Sequence, residues 1–333
     1  MGTFQGTVRL ALPEDAASIA GNVKACYGPT HPVPACSTPR LVARAIAERR
    51  VVYALAVDPT GEVVGQAALD PADSPGLVEL GRAIVRDAWR DAGVFSLLGR
   101  KLLAEAVPAL GARFVLGRVV TSHTMAQRFG RPNGLVTVGL LLGMFPAGIR
   151  ASGIAPTREP ISAVLHARYV GAVPAPRRLT LEGLDRELAE RALEALGVGT
   201  TRGPRAPASP LGVRVTRDDH FGVVRLRLAP GGETPLSADL VAHLESAPAR
   251  LLWADVPAEH PDAARAAEAL RELGFGFAAY VPGAGVSGED VLRLQRYLGS
   301  VPLDPDAVHV LEDAEPFKEA VFAQVQRLEP ALS

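Results

Sequence analysis

Only two cysteines are present, Cys26 and Cys36, with no second pair near them, so neither a disulfide framework nor a zinc site of the Cys-x-x-Cys kind has support. That usage makes the cytoplasm the expected compartment. No stretch reaches the roughly 18 uninterrupted apolar residues of a membrane span, and Met1 to Gln5 lacks the basic start and apolar run of an export signal. No membrane partner is expected. Neither sign of charge prevails, with Lys+Arg 35 against Asp+Glu 36 and a net charge of −1, so nothing argues for a nucleic-acid partner either. Lysine is confined to Lys24, Lys101 and Lys318, a bias that goes with abundant Ala, Gly, Pro and Val, reads as the coding genome's and carries no functional weight. Aromatics are scarce at 5%, whereas Gly (33) and Pro (28) are plentiful and gather in turns and connectors. A Walker loop, a Ser-His-Asp order and a metal-ligand cluster are all missing, so no metal is expected.

What is there is core material. The 333 residues, 48% of them hydrophobic, suffice for two packed domains. Thr7 to Leu10 reads as a short strand leading into a helix from Ala16 to Cys26, whose entry carries Glu14 and Asp15 to match the helix dipole. A second helix spans Arg40 to Arg49. Val51 to Val57 is a buried strand closed by the turn Asp58-Pro59-Thr60-Gly61, and Glu62 to Asp70 is its hairpin return. Gly76 to Val85 (strand), Val94 to Leu110 (long helix), Ala112 to Val120 (strand), a helix from about Thr124 and Leu135 to Met144 (strand) complete a mixed α/β domain assigned to residues 1–150. Pro146 to Pro160 looks like a linker. Residues 151–333 then hold a strand from Ile161 to Val170, a helix from Leu181 to Leu196, a flexible connector from Gly199 to Pro210, and a further α/β unit from Val213 to Leu328.

An internal repeat links the two parts. Arg113-Phe-Val-Leu-Gly-Arg-Val-Val-Thr-Ser-His123 and Arg250-Leu-Leu-Trp-Ala-Asp-Val-Pro-Ala-Glu-His260 share an Arg, an apolar strand and a His at the same spacing. Each runs into a helix that ends at Gly134-Leu135 or Gly274-Phe275 and then into an apolar strand. The repeat favours tandem duplication.

The candidate ligand loop lies after the strand Val78 to Val85. Arg86-Asp-Ala-Trp-Arg90-Asp91-Ala92-Gly93-Val94-Phe95-Ser96 opens a helix, and a strand-to-helix turn of this kind offers unpaired N–H groups and a positive dipole end to an anion. Taken alone, the pattern is more often a plain connection. The order of elements, Val57-Asp-Pro-Thr-Gly61-Glu62-Val63-Val64-Gly65, the Arg90-x-x-Gly93 loop and the Gly134-Leu135 boundary together resemble the GNAT acyltransferase fold, and with the duplicated second part the chain is similar to tandem GNAT proteins.

That resemblance implies a mixed α/β fold of two tandem GNAT-like domains, the second degenerate, and acetyl-CoA or another acyl-CoA as cofactor. The pyrophosphate would sit on the loop Arg90, Asp91, Ala92, Gly93, Val94, Phe95 and Ser96, with Phe95 replacing the family's small residue and crowding the turn. The backbone of Ile84 and Val85 would pair with the pantetheine arm. Glu79 stands as the base, and His123, where many members carry an Asn, as a cofactor contact or proton relay. Tyr27 and His31 lie where the acceptor binds. The acceptor class implied is a small-molecule amine, of the kind met in antibiotic or secondary-metabolite biosynthesis. The family's thiolate-protonating Tyr would fall at Gly130, and the neighbouring Phe129 cannot donate a proton.

In the second part the corresponding loop is Leu228 to Ser237, where Pro230 and Pro235 remove amides and Glu233 adds a repelling charge, so no tight pyrophosphate cradle is expected. Asp255, His260, Tyr280 and Gln295 read as structural. Three readings stay open: an acyl-CoA-dependent N-acyltransferase, a protein whose first part holds acetyl-CoA as a structural or sensing ligand with transfer absent or moved to the second part, and a two-domain α/β interaction protein without cofactor.

Overall fold

The apolar segments that alternate faces become strands, and the long ones join a single sheet. A computed structural model describes residues 3–149, 157–201, 209–246 and 248–328. The elements are β1 (Thr7–Leu10), α1 (Ala16–Tyr27), α2 (Pro39–Ala47), β2 (Val52–Val57), β3 (Val63–Pro71), β4 (Leu77–Val85), α3 (Val94–Lys101), α4 (Val107–Ala109), β5 (Phe114–Val120), β6 (Val136–Phe145) and β7 (Ile161–Tyr169). They continue with β8 (Arg177–Arg178), α5 (Gly183–Ala195), β9 (Thr200–Thr201), β10 (Leu211–Asp218), β11 (Val223–Pro230), α6 (Ala238–Glu245), β12 (Leu251–Pro257), α7 (Ala263–Glu272), β13 (Gly276–Val281), β14 (Val291–Tyr297) and α8 (Glu315–Leu328). Twelve strands form one mixed sheet in the order β1-β2-β3-β4-β5-β7-β6-β13-β14-β12-β11-β10.

The period of two along β2 explains how the sheet is covered. Ala54 and Ala56 point to the side packed by Val94, Leu98 and Leu102, whereas Tyr53 and Leu55 point to the side packed by Ile19 of α1 and Val42 of α2. Each fully buried side chain of Leu98's size contributes about 1.5–3 kcal/mol. α3 runs through a π-helical turn, Leu102–Ala106, into α4. Pro108 accounts for the widening, since it lacks the N–H for the Ala104 carbonyl and its ring crowds that group.

Two features differ from the sequence expectation. In place of a helix from about Thr124 there are two short 3-10 turns, Gln127–Phe129 and Arg131–Asn133, because Pro132 stops a helix from passing. The equivalent stretch of the second part, Ala263–Glu272, has neither Gly nor Pro and is a true helix. The strand Ile161–Tyr169, expected to belong with residues 151–333, inserts between β5 and β6 and pairs with both.

The repeat is structural. The pairings β3·β4 antiparallel, β4·β5 parallel, β5·β7 and β7·β6 antiparallel recur as β10·β11, β11·β12, β12·β14 and β14·β13. Details recur as well. The Gly76 carbonyl accepts from the N–H groups of Arg113 and Phe114, and the Gly222 carbonyl from those of Arg250 and Leu251. Arg168 Nη1 donates to the Asn133 carbonyl, and Arg296 Nη1 to that of Leu273. β6 meets its own counterpart β13 at Gly139 and Ala279, which stand the same 140 positions apart as Gly134 and Gly274, so the halves are related by an approximate twofold. Gln295 completes this seam by accepting from the Leu142 N–H and donating to the carbonyls of Leu140 and Phe277. One buried cluster runs across it, from Phe114 and Leu140 to Leu252 and Phe317.

Candidate functional site

β4 and β5 pair in register only over Leu77–Glu79 and Phe114–Leu116, although β4 continues to Val85 and β5 to Val120. Beyond that contact β4 and β5 no longer pair, and among the described residues no other strand pairs with the β5-facing edge of β4. β4 also carries a bulge. The register with β3 shifts between Gln66 and Ala68, and Arg82 adopts φ 52, a left-handed conformation costly for a residue with a Cβ. Ile84 and Val85 follow on the open strand, and the chain then turns through Asp87–Ala92 into α3.

Gly93 closes that turn at φ 76 and serves as the N-cap of α3 with no side chain to occupy the helix end. The N–H groups of Val94, Phe95 and Ser96 are those that a first helical turn cannot satisfy internally. Arg90 stands beside them, bonded to Asp87 at 2.9 Å and, more loosely, to the Val85 carbonyl at 3.4 Å. The Phe95 ring packs on Phe129 at a centroid distance of 4.8 Å. Asp91 and Ala92 form the outer part of the loop, with Asp91 exposed.

The opposite lip is the end of β5. Ser122 Oγ and His123 Nδ1 are both buried there without a hydrogen-bond partner among the described residues. Burial, and then the charge of Arg90, lower the His123 pKa. His260, the counterpart of His123, is fully engaged instead: its Nδ1 accepts from the Asp262 N–H at 3.1 Å and Nε2 lies 3.2 Å from the Ser209 carbonyl.

Glu79 sits farther down the wedge, opposite Leu116, seven residues before His123 and on the order of 20 Å from it along an extended strand. The two do not form a dyad. Glu79 Oε1 accepts from Arg118 Nε at 2.5 Å, and the Arg118 guanidinium lies over the Phe221 ring at 5.1 Å with Nη1 3.8 Å from Met144 Sδ. Phe221 comes from the β10–β11 hairpin of the second half. Arg250 anchors that hairpin by donating to the carbonyls of Phe221 and Gly143. Across β3, Asp70 pairs in register with Glu79 and is held by Arg82 through two bonds of 2.7 and 2.6 Å. Arg82 also donates to Tyr53 Oη and Cys36 Sγ. Burial raises the Asp70 pKa against the pull of Arg82, and desolvation followed by the attraction of Glu79 shapes Arg118, whose pKa is raised.

Tyr27 and His31 stack edge to face at 4.8 Å above this floor. Burial pushes the Tyr27 hydroxyl up to about 12 and lowers the His31 pKa, to which Arg82 adds; Nδ1 of His31 accepts from the Val33 N–H at 3.1 Å. Asp70, Arg82, Arg118, Ser122 and Phe221 escaped the sequence reading. The one available signal was a charged residue inside a buried strand, as at Arg118.

The second half has the same wedge position but not the same openings. Ser237 caps α6 by accepting from the Leu240 N–H at 3.2 Å, and Gly232 is pressed against Gly212. Asp255, Tyr280 and Gln295 are buried and bonded. A shallow depression of about 620 Å³ along Glu187, Glu190, Arg191 and Glu194 lies on α5, apart from either wedge. Among the described residues no helix is long and apolar enough to cross a membrane, and no group of three or more His, Cys, Asp or Glu is placed to hold a metal.

No family model matches the chain, and no curated protein matches it. Solved structures similar to half of it include the GNAT superfamily phosphinothricin acetyltransferase of Sinorhizobium meliloti in complex with acetyl-CoA (20% identity, 50% of this chain and 90% of that one, TM-score 0.39). Others are the spermidine/spermine N-acetyltransferase of Vibrio cholerae (14%, 49% and 92%, 0.39) and a GNAT-family acetyltransferase of Streptococcus pneumoniae (16%, 50% and 99%, 0.38).

Proposed function

We propose that the chain is an acyl-CoA-dependent N-acyltransferase, in its simplest form an N-acetyltransferase, built from two GNAT-like units that divide after β7. The observation that carries this reading is the wedge between β4 and β5, with the uncapped α3 start at Gly93 on one lip and the unpartnered Ser122 Oγ and His123 Nδ1 on the other. A phosphorylated, amide-bearing chain suits both lips. The N–H groups of Val94, Phe95 and Ser96, aided by Arg90, would hold its phosphates. The free edge at Ile84 and Val85 would pair with its extended arm, and Ser122 and His123 would bond its polar groups. Acyl-CoA supplies the activated thioester.

The remaining chemistry belongs to this chain. Glu79, oriented by Arg118, takes the proton of the attacking amine as the C–N bond forms and the C–S bond breaks. Tyr27, His31 and the β10–β11 hairpin wall the acceptor, a small-molecule amine, which we place in secondary metabolism. The second half carries no equivalent cradle, since Ser237 occupies its helix start.

One observation favours a second reading, in which the first half retains acetyl-CoA as a structural or sensing ligand. Gly130 cannot carry a tyrosine without displacing His166, whose Nδ1 lies 2.6 Å from the position of a Cβ, and Phe129 is packed into the core. Native mass spectrometry with added acetyl-CoA tests both: one equivalent per chain is expected, and no binding would sink them together. Single-turnover assay of the loaded protein with a panel of amines then separates them, because a ligand that never leaves its acyl group belongs to the second reading.

A further inference from the structure

The second half buries more positive charge than it pairs. β11 brings Arg225 and Arg227, β12 brings Trp253 and Asp255, and β14 brings Arg293 to one face, since Arg225 lies opposite Trp253, and Asp255 lies opposite both Arg227 and Arg293. Asp255 is 1% exposed and takes Arg293 at 2.7 and 3.0 Å and Arg225 through Oδ2. Among the described residues Arg227, 7% exposed, has only neutral partners: Ser74 Oγ at 2.7 Å and the Ala284 carbonyl at 3.1 Å. Its Nε is buried without an acceptor. So is the indole N–H of Trp253, over whose ring the Arg293 guanidinium lies at 4.5 Å. One buried carboxylate thus faces three guanidinium groups on three adjacent strands, and an uncompensated buried charge is costly.

The imbalance does not come with the fold. By register, Arg225, Arg227, Asp255 and Arg293 correspond to Glu79, Gly81, Arg118 and Leu165 in the first half, which together form one balanced ion pair with its polarity reversed. Planar guanidinium forks match the oxygen pairs of carboxylates and phosphates, and an indole N–H adds a donor. We infer that this face of the second half binds a small oxyanion, gripped by Arg225, Arg227 and Arg293 with the Trp253 N–H. Arg225, with 18% of its side chain exposed, is the approach from solvent. This inference stands apart from the acyl-transfer reading.

The melting temperature of the full chain tests it, in chloride buffer at constant ionic strength, with inorganic phosphate and acetate added in separate titrations. A saturable rise on the order of 5 °C with at least one of them is expected in the native protein. In R227M that rise should fall by more than half, while the melting temperature in chloride alone stays level or increases, because a buried unpaired cation has gone. The phosphate arm against the acetate arm tells which oxyanion is taken. No rise in the native protein overturns the site, and an equal rise in R227M overturns it too, placing the anion elsewhere, for instance at α3. Should R227M fail to fold, R227K serves in its place: it keeps the charge but loses the fork, so an undiminished rise would again count against the site.

Discussion

A carboxylate can act as a base only through an oxygen that its ion pair leaves free. Glu79 gives Oε1 to Arg118, which under the proposed function leaves the other oxygen for an amine, and it is held in place by an arginine that is itself fixed between Phe221 and Met144. Glu79→Gln should lower acyl transfer by about 10²–10⁴-fold while the acyl-CoA dissociation constant changes less than twofold, as measured by thiol release and calorimetry. Unchanged turnover would remove Glu79 from the mechanism. His166 shows a different consequence of burial. It is 5% exposed, and desolvation holds its imidazole at about 4, although the Asp313 carboxylate pulls the other way. The unfolded chain takes up this proton near 6.5 and the folded chain only near 4, so the unfolded state binds more protons in between and stability falls as the pH drops through that window. The loss amounts to about 3 kcal/mol. Denaturant titrations at pH 7 and pH 4 should therefore show a shallower acid loss in His166→Gln than in the native chain.

At the scale of elements, the loop between β4 and α3 depends on one backbone conformation. Gly93 at φ 76 lets the chain enter α3 without a side chain over the helix start. Gly93→Ala should cost about 1–2 kcal/mol of stability and weaken acyl-CoA binding at least tenfold, and a binding curve superimposable on the native one would mean that the helix start is not the phosphate site. This loop was legible in the sequence because glycine, arginine and an apolar helix follow one another within a few residues. Most strands and α1 were legible from periodicity for the same local reason. The placement of β7 between β5 and β6 was not, since strand order is decided by contacts distant in the chain. Nor was the Asp70–Arg82–Glu79–Arg118 floor, which exists only through the registers of three strands. The helix expected after His123 failed because the apolar pattern outweighed Pro132, whereas the backbone obeyed the proline. The partner of the Phe95 ring, Phe129, was not legible either, since it lies more than thirty residues away.

On the scale of the whole molecule the two halves behave as one object. The sheet is continuous through β6 and β13, and Gly139 permits it: a Cβ there would be pressed into the Ala278 carbonyl and Ala279. The approximate twofold at this seam makes each half's hairpin reach toward the other half's wedge. The turn between β3 and β4 sends Ser74 to Arg227, and the turn between β10 and β11 sends Phe221 to Arg118. Under the proposed function, this crossing lets one wedge take a ligand while the other half supplies its wall. If Phe221 acts in this way, its loss should be felt by the acceptor alone. Phe221→Ala leaves the loop at Gly93 and the lip at His123 untouched, but frees Arg118 and with it the orientation of Glu79. Steady-state kinetics should then show kcat over the acceptor KM lowered on the order of tenfold, about 1.4 kcal/mol, with the acyl-CoA KM unchanged. Equal effects on both substrates would instead mean that the second half merely stabilises the first.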